Sequence, residues 1–252
     1  MSGCILKIKR RTNMKVIIGS EQEIAQKAAQ QYVRLLQNKP DAVLGGATGS
    51  TPLGLYAELV RLNKEGVISF KDVKTFNLDE YVGLDGSHDQ SYRYFMNTNL
   101  FNLVDIDINN THVPDGIDTS KAAAYDDAIK AAGAIDLQIL GIGVDGHIGF
   151  DEPGTPIDSI THVVELEQNT REVNSRFFNS IDEVPTHAVT MGIKTIMNAR
   201  SIILMAIGNS KADIVKAFIE GPVTTDVPAS ILQLHPDVTV YLDPAAAAKL
   251  SK

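Results

Sequence analysis

The residues best suited to proton transfer lie together in the stretch 141–153. An apolar run over 135–142 leads into it, and four glycines leave the backbone free to turn and to approach a ligand closely. Asp145, His147 and Glu152 lie among these glycines. Imidazole and carboxylate groups are the usual agents of proton transfer. The stretch therefore indicates either an acid–base site or a solvated glycine-rich loop with incidental charges.

The same stretch contains the G-x-G-x-x-G spacing of a dinucleotide-binding turn, as Gly141, Gly143 and Gly146. That fingerprint requires a helix directly after the glycines. Gly149 and Pro153 fall where the helix would run. A nucleotide site is therefore rejected.

Two further kinds of site have weaker support. Asp79, Asp145 and His147 carry groups that ligate cations, but no His-x-x-x-His or comparable ligand spacing accompanies them. The G-x-S-x-G turn of a serine hydrolase is absent from the sequence. We therefore expect no metal, and we expect structural roles for the other histidines.

Composition and charge restrict the class of protein. The chain has 252 residues and a formal net charge of −8, which argues against nucleic acid or an anionic membrane as the main partner. Cys4 is the single cysteine, which excludes an internal disulfide and fits a reducing cytoplasm. No apolar run reaches the length of a membrane span. Residues 1–13, which are basic, are expected to be a tail or tag-like extension before a single α/β catalytic domain over 14–252.

Short apolar runs alternate with segments of helical periodicity along the chain. This alternation predicts an open, mostly parallel sheet with helices on both faces. We further expect an edge strand over 162–166, a helix capped by Thr119 and an alanine-rich helical tail after residue 243. The main strands are predicted over 15–19, 41–46, 73–78, 135–142, 201–207 and 238–242.

In such a sheet, ligands bind beyond the carboxyl ends of the strands. One predicted strand end runs into Thr48, Gly49, Ser50 and Thr51, directly before a helix. Backbone N–H groups, hydroxyls and the helix dipole favour an anion there, although a simple helix cap would have the same residues. No Gly-Lys-Ser/Thr follows, so this is not a Walker A loop.

Basic residues near other strand ends are candidates to complete an anion site. Ser210 is expected to cap the helix that follows, which places Lys211 in its first turn. A cation there opposes the helix dipole, and a bound anion would relieve that conflict. A solvated lysine is the alternative. Arg171 is a further candidate, because a guanidinium can bind phosphate oxygens in pairs. Arg176 competes for that role, and residue type does not rank the two.

Asp79 follows the predicted strand over 73–78 directly. Desolvation at the mouth of a buried strand would raise its pKa towards that of a general base, whereas an acid that caps the next turn would stay ordinary. Glu80 would point to the opposite side of a continuing strand. We therefore expect only one of these two acids to face the pocket.

Three segments are specific enough to indicate a relationship: Gly-Ala-Thr-Gly-Ser-Thr-Pro at 46–52, Thr-Phe-Asn-Leu-Asp-Glu-Tyr-Val-Gly-Leu at 75–84, and the stretch 141–153. Shorter matches lie at 174–178 and 232–236. On these residues the chain resembles the glucosamine-6-phosphate deaminase family from about 14 to 243. The resemblance implies a Rossmann-like sheet of the sugar-phosphate isomerase type. It also implies conversion of glucosamine 6-phosphate and water to fructose 6-phosphate and ammonia, in amino-sugar catabolism, without a cofactor.

The resemblance also implies residue roles. Asp79 is similar to the base that moves a proton from C2 to C1, and His147 to the group that opens the sugar ring. Asp145 and Glu152 correspond to the carboxylates that support this histidine. The phosphate site would comprise Thr48, Gly49, Ser50, Thr51, Arg171 and Lys211.

One departure from the longer members of the family concerns their allosteric site, which uses basic residues after the Glu-Pro pair and an extended C-terminal tail. Residues 154–164 contain no Lys or Arg, and this chain stops at Lys252. We therefore expect no activation by N-acetylglucosamine 6-phosphate. The hexamer of the longer members is not expected either, so the protein should be a monomer or a small homo-oligomer.

Two rival functions remain open at this point. A 6-phosphogluconolactonase shares the expected fold but hydrolyses a lactone, and the full segments at 75–84 and 141–153 favour the deaminase. A sugar-phosphate sensor without turnover is expected to have lost its acid–base residues, whereas Asp79, Asp145, His147 and Glu152 are all present.

Overall fold

The computed structural model of the protein describes residues 14–175, 178 and 180–251. Residues 1–13, and with them the expected tail, lie outside the described residues, as does Arg176. The strands are β1 (Lys15–Ile18), β2 (Val43–Gly46), β3 (Lys74–Asn77), β4 (Asp79–Tyr81), β5 (Thr111–His112), β6 (Leu137–Leu140), β7 (His162–Glu165), β8 (His187–Thr190), β9 (Ser201–Ala206) and β10 (Val238–Leu242). The α-helices are α1 (Glu21–Asn38), α2 (Leu53–Lys64), α3 (Tyr92–Asn99), α4 (Ala122–Ala131), α5 (Gln168–Asn174), α6 (Ile193–Met197) and α7 (Ala212–Glu220).

Seven strands form the main sheet, in the order β1-β10-β9-β6-β2-β3-β5. Every neighbouring pair in it is parallel, and the central strands β2 and β6 are buried along their whole length. The helices around the sheet pack their apolar residues onto it in one continuous core. The predicted parallel α/β architecture is confirmed.

Helix α1 shows how the local sequence builds this layer. Ser20 accepts a hydrogen bond from the backbone N–H of Glu23, whose side chain in turn accepts from the Ser20 backbone, so the predicted capping box is formed. Ile24, Ala28 and Val33 lie on the buried side of the helix, as their spacing predicted.

The chain changes direction at the centre of the sheet. After β2 it continues outwards through β3 to the edge strand β5, and then returns to β6 on the other side of β2. The connections that leave β2 and β6 therefore separate and leave a crevice at their carboxyl ends. A crevice at such a switch point is the common ligand site of open α/β sheets.

A second sheet of three antiparallel strands, in the order β4-β8-β7, stands beside the main one. Strand β7 is at its edge, which confirms the edge strand expected over 162–166. The existence of the sheet itself was not predicted. It has a small core of its own, formed by Tyr81, Phe150, Leu166 and Ala188.

Three local predictions were wrong. Residues 244–249 form turns rather than a helix, because the Asp243 carboxylate binds the N–H groups of both Gly208 and Ala246 and so ties the tail to the loop after β9. Thr119 and Ser210 are not helix caps. Each lies inside a short 3₁₀ turn that precedes the α-helix, and Asp118 supplies the cap at the first turn.

Among the described residues, no helix combines the length and apolarity needed to cross a membrane.

Candidate active site

A cavity of about 410 Å³ opens at the carboxyl ends of β9, β6, β2 and β3, four adjacent strands of the main sheet. The structure therefore brings together the strand ends that the sequence singled out. Of the predicted site residues, the cavity walls contain Thr48, Gly49, Ser50, Thr51, Asp79, Asp145, His147 and Lys211.

Asp79 is the first residue of β4, and it enters the cavity wall as the chain leaves the main sheet for the small one. It pairs with Thr190 of β8. Its side chain is almost fully buried, and no described residue donates a hydrogen bond to it. Burial, followed by the negative charge of Glu80, raises the pKa of Asp79 to about 8. Such a carboxyl can exchange a proton near neutral pH.

Glu80 turns away from the cavity, as the alternation of side chains along a strand predicted. Its carboxylate accepts hydrogen bonds at the start of α3, from the backbone N–H groups of Tyr92 and Arg93. Only one of the two neighbouring acids is thus available to a bound molecule.

Asp145, His147 and Glu152 form a second reactive group on the loop after β6. One side-chain atom from each lies within 4.8 Å of the others. Nδ1 of His147 is 2.8 Å from Oδ1 of Asp145. Burial alone would raise the pKa of Asp145, but the adjacent imidazole outweighs it and leaves the pKa below its ordinary value. Burial raises the pKa of Glu152, although the Thr170 hydroxyl donates to it at 2.7 Å.

Glycine is needed at positions 143 and 146 of this loop for different structural reasons. A Cβ on Gly143 would lie 2.4 Å from the His147 ring and 2.5 Å from the Asp145 carboxylate, so the pair requires a bare backbone beneath it. Gly146 has φ +95°, a left-handed conformation that glycine adopts without strain. The loop is therefore shaped around the histidine and its carboxylate.

Three groups this close can also hold a cation, and among the described residues they are the one such cluster. Asp145 and His147 are close enough to interact directly without an ion, since Nδ1 and Oδ1 lie 2.8 Å apart. We therefore keep the interpretation of an acid–base group.

The predicted anion cradle connects β2 to α2. Its residues 48–51 line the cavity, and Gly49 has φ +93°. Lys211 approaches from the loop after β9, and its Nζ donates to the carbonyl oxygen of Ile142 at 2.7 Å. Backbone amides before a helix and a nearby ammonium together favour a bound anion.

Arg171 is the predicted anion contact that the structure does not bring to the cavity. Its Nη2 donates to the carbonyl oxygens of Ile181 and Val184, at 3.2 and 3.3 Å. Arg176, the alternative contact, lies outside the described residues.

An aromatic wall of the cavity was missed by the sequence analysis. The rings of Tyr81 and Tyr92 are 4.7 Å apart, and Phe150 stacks on Tyr92 at 6.1 Å. All three line the cavity, together with Phe178. The available signal was position, since Tyr81 and Phe150 each lie within three residues of a predicted acid–base residue.

The fold and the cavity are those of an α/β enzyme with a small-molecule site at the switch point of its sheet. More particularly, the chain belongs to the family of glucosamine-6-phosphate isomerases and 6-phosphogluconolactonases, whose sequence model matches residues 19–241.

Individual relatives agree with this assignment. A glucosamine-6-phosphate deaminase of Clostridium perfringens (strain 13 / Type A) is 49% identical over 238 residues, which are 93% of this chain and 98% of that protein. One of Hahella chejuensis is 51% identical over 240 residues, covering 94% and 92%.

The similarity extends to solved structures. The structure of a monomeric glucosamine-6-phosphate deaminase matches with a TM-score of 0.92 and 44% identity, over 94% of this chain and 100% of that one. A 6-phosphogluconolactonase from Trypanosoma brucei has the same fold, with a TM-score of 0.74 and 19% identity over 94% and 98%.

Proposed function

We propose that the protein is a glucosamine-6-phosphate deaminase, which converts D-glucosamine 6-phosphate and water to D-fructose 6-phosphate and ammonia. The observation that carries the proposal is that Asp79, a buried carboxyl without a donor, lines one cavity with Asp145 and His147, and that Glu152 lies close to that pair. The two reactive groups are held on different sheets and can therefore act on different atoms of one substrate. The relatives described above support this choice of substrate.

The substrate would be held by its phosphate. Residues 48–51 offer backbone N–H groups and hydroxyls at the start of α2, and Lys211 adds a positive charge. An anchored phosphate orients the sugar, which can be worth several kcal/mol of the barrier. The aromatic wall would then cover the opposite side of the sugar.

Ring opening is the first chemical step that we assign. It breaks the bond between C1 and O5, so a base must take the proton of the C1 hydroxyl and an acid must give one to O5. His147 is placed for this exchange, with Asp145 orienting its ring and Glu152 close by. The product of the step is the open-chain aldehyde.

Isomerisation follows at C2 and C1. Asp79 removes the proton from C2, and O1 takes a proton from the substrate's own ammonium group, which gives an enolamine. The same carboxyl then returns its proton to C1 while the nitrogen lone pair forms a C=N bond at C2. Water adds to this bond and ammonia leaves, which gives the ketose. Each step is a proton transfer or a hydrolysis, so we expect no cofactor.

The proposal is tested by measuring ammonia and fructose 6-phosphate released from glucosamine 6-phosphate. The His147→Gln variant should lower turnover by roughly 100-fold or more, because it removes the group that exchanges protons with the ring oxygen. His187→Gln is the matched control, since His187 is exposed on β8 and does not line the cavity. It should turn over like the unmodified protein.

The same assays separate the rival functions. Hydrolysis of 6-phosphogluconolactone without ammonia from the amino sugar would replace the deaminase with the lactonase. A thermal shift with sugar phosphates and no turnover of either compound would indicate a sensor. Equal activity of His147→Gln and His187→Gln would keep the reaction but refute the role of His147.

Regulation is a separate part of the proposal. Residues 154–164 offer no Lys or Arg for a second sugar phosphate, so we expect hyperbolic kinetics that N-acetylglucosamine 6-phosphate does not change. A clear response to that compound would contradict this. We also propose one catalytic domain over 14–252, acting as a monomer or small homo-oligomer in the cytoplasm. The similar structure, which is of a monomer, supports the oligomeric part of this proposal.

A further inference from the structure

Glu80 is a buried carboxylate that the mechanism above does not use. It is 3% exposed and accepts four hydrogen bonds. Its Oε1 accepts from the backbone N–H groups of Tyr81 at 2.8 Å and Tyr92 at 2.9 Å. Its Oε2 accepts from the Ser91 hydroxyl at 2.8 Å and the Arg93 N–H at 2.9 Å. A side chain from β4 thus closes the first turn of α3.

The four partners favour the ionised form of this side chain. Three of them are backbone N–H groups, which donate and cannot accept, and the amino end of a helix attracts negative charge. Burial outweighs the donors from Tyr92, Arg93, Ser91 and Tyr81, so the pKa of Glu80 lies above its ordinary value. The four hydrogen bonds nevertheless hold the carboxylate in one position.

This fixed charge lies next to the base. Asp79 and Glu80 are neighbours on β4, and the charge of Glu80 adds to the effect of burial on the pKa of Asp79. Arg93, the basic residue that interacts with Glu80, is itself half-buried at the start of α3. The other titratable groups coupled to Asp79 are Asp151, Tyr56, Tyr92 and Tyr125, and in each of them burial raises the pKa and favours the neutral form.

The same contacts also determine where the cavity wall stands. Ser91 and Tyr92 line the cavity together with Asp79, and Glu80 joins the strand that carries the base to the helix that carries the other two. Loss of these bonds would let β4 and α3 move apart. The distance between the base and the sugar would then no longer be fixed.

We propose that Glu80 is a positioning residue for Asp79: its carboxylate ties β4 to the start of α3 and places a fixed negative charge beside the base. The inference rests on the proposed function, in which Asp79 removes the proton from C2. Glu80 itself does not touch the substrate.

Two substitutions separate the charge from the position. Glu80→Gln removes the charge, so the rising limb of the pH profile of kcat/KM should move to lower pH by about one unit. Its kcat should fall as well, because the amide NH2 cannot accept from the N–H donors that it faces. Glu80→Asp keeps the charge and shortens the reach. Because the base is displaced, this variant should lower kcat roughly tenfold or more at every pH. The rising limb of its pH profile should stay at the same pH.

Asp136→Asn is the control for a purely structural effect. Asp136 is also a buried carboxylate with several donors, but it lies at the opposite end of the main sheet. The Asp136→Asn variant should be less stable in thermal melts, and the rising limb of its pH profile should not move.

The outcomes distinguish this inference from the proposed function. If the unmodified protein released no ammonia from glucosamine 6-phosphate, the proposed function itself would be refuted. With turnover present, an unshifted limb in Glu80→Gln would overturn the role of the charge. An unchanged kcat in Glu80→Asp would overturn the role of the position. If Glu80→Gln does not fold, Glu80→Asp still decides whether the position matters.

Discussion

The two ends of the main sheet treat buried acids in opposite ways. At the amino end of β6, Asp136 accepts hydrogen bonds from the Val43 N–H, from Lys39 and from Arg200, at 2.6 to 2.8 Å. Burial alone would raise the pKa of Asp136, but these three donors outweigh it and leave the pKa below its ordinary value. This carboxylate is ionised and holds β6, β2 and α1 together.

At the carboxyl end Glu80 is likewise held by donors, but two other buried acids lack them. Asp79 has none among the described residues, and both oxygens of the fully buried Asp151 are without a hydrogen-bond partner. Burial, with the charge of Asp79 added, raises the pKa of Asp151 to about 8. His162 is the nearest cation-forming group, with Nε2 3.9 Å from Oδ1.

The difference shows how burial can serve either stability or chemistry. A donor is worth about 1.5–3 kcal/mol to a charged group, so leaving a buried acid without one is costly. Such costs are concentrated where a group must change its protonation state. The amino end of the sheet is built for a permanent charge, and the carboxyl end for a proton that moves.

The largest effect is expected from Asp79→Asn. An amide cannot take the C2 proton, so kcat should fall by ~10²–10⁴-fold. Since Asp79 has no donor to lose, the thermal midpoint at pH 8 should be unchanged or higher. Ammonia release and thermal melts of the same preparation measure both. A tenfold or smaller loss of kcat would show that another group is the base.

The opposite pattern is expected from Asp136→Asn. The substitution removes a charge that three donors stabilise, so the free energy of unfolding should fall by about 1.5–3 kcal/mol. Turnover of the folded fraction should be kept, because Asp136 does not line the cavity. Urea titrations measure the loss of stability, and initial rates measure the turnover. Loss of activity without loss of stability would mean that the two ends of the sheet are not separate in function.

The effect expected from Asp151→Asn is on stability, and it depends on pH. The folded protein keeps the Asp151 proton up to about pH 8, whereas the unfolded chain loses it near its ordinary pKa of 3.8. The stabilisation is therefore complete below pH 3.8 and is lost as the pH rises towards 8. The amide has no proton to lose. Its stability relative to the unmodified protein should rise by about 1.4 kcal/mol per pH unit between pH 5 and 7.

Unfolding in urea at pH 5, 6 and 7 measures this difference. Parallel stability curves for the two proteins would show that Asp151 is not held protonated by the fold.

Much of this comparison was accessible from the sequence. Strand ends place side chains at one edge of a parallel sheet, so Asp79, His147 and residues 48–51 could be grouped before their geometry was known. Alternation along a strand also separated Glu80 from Asp79. These arguments need only local periodicity, which the chain shows clearly.

The remainder depends on contacts between distant segments. Strand β4 has only three residues, too few for a periodic signal, and it pairs with β8 about 110 residues further along the chain, as Asp79 with Thr190. The direction of Arg171 is decided by the carbonyl oxygens of Ile181 and Val184, which no sequence spacing reveals. The hydrogen bond from Gly208 to Asp243 is likewise a contact between distant segments, so the alanine-rich sequence after residue 243 predicts a helix where the structure has turns.

The lack of a side chain at Gly143 restricts which substitutions this position tolerates during evolution. Even alanine would place its methyl group within 2.5 Å of both members of the acid–base pair, so a single nucleotide change here removes the geometry rather than adjusting it. Gly141, two residues earlier, has an unstrained φ but lines the cavity, so the open space at its Cβ position is space that a ligand would fill. In a population of variants both glycines should therefore stay fixed, Gly143 because of its neighbours and Gly141 because of the ligand.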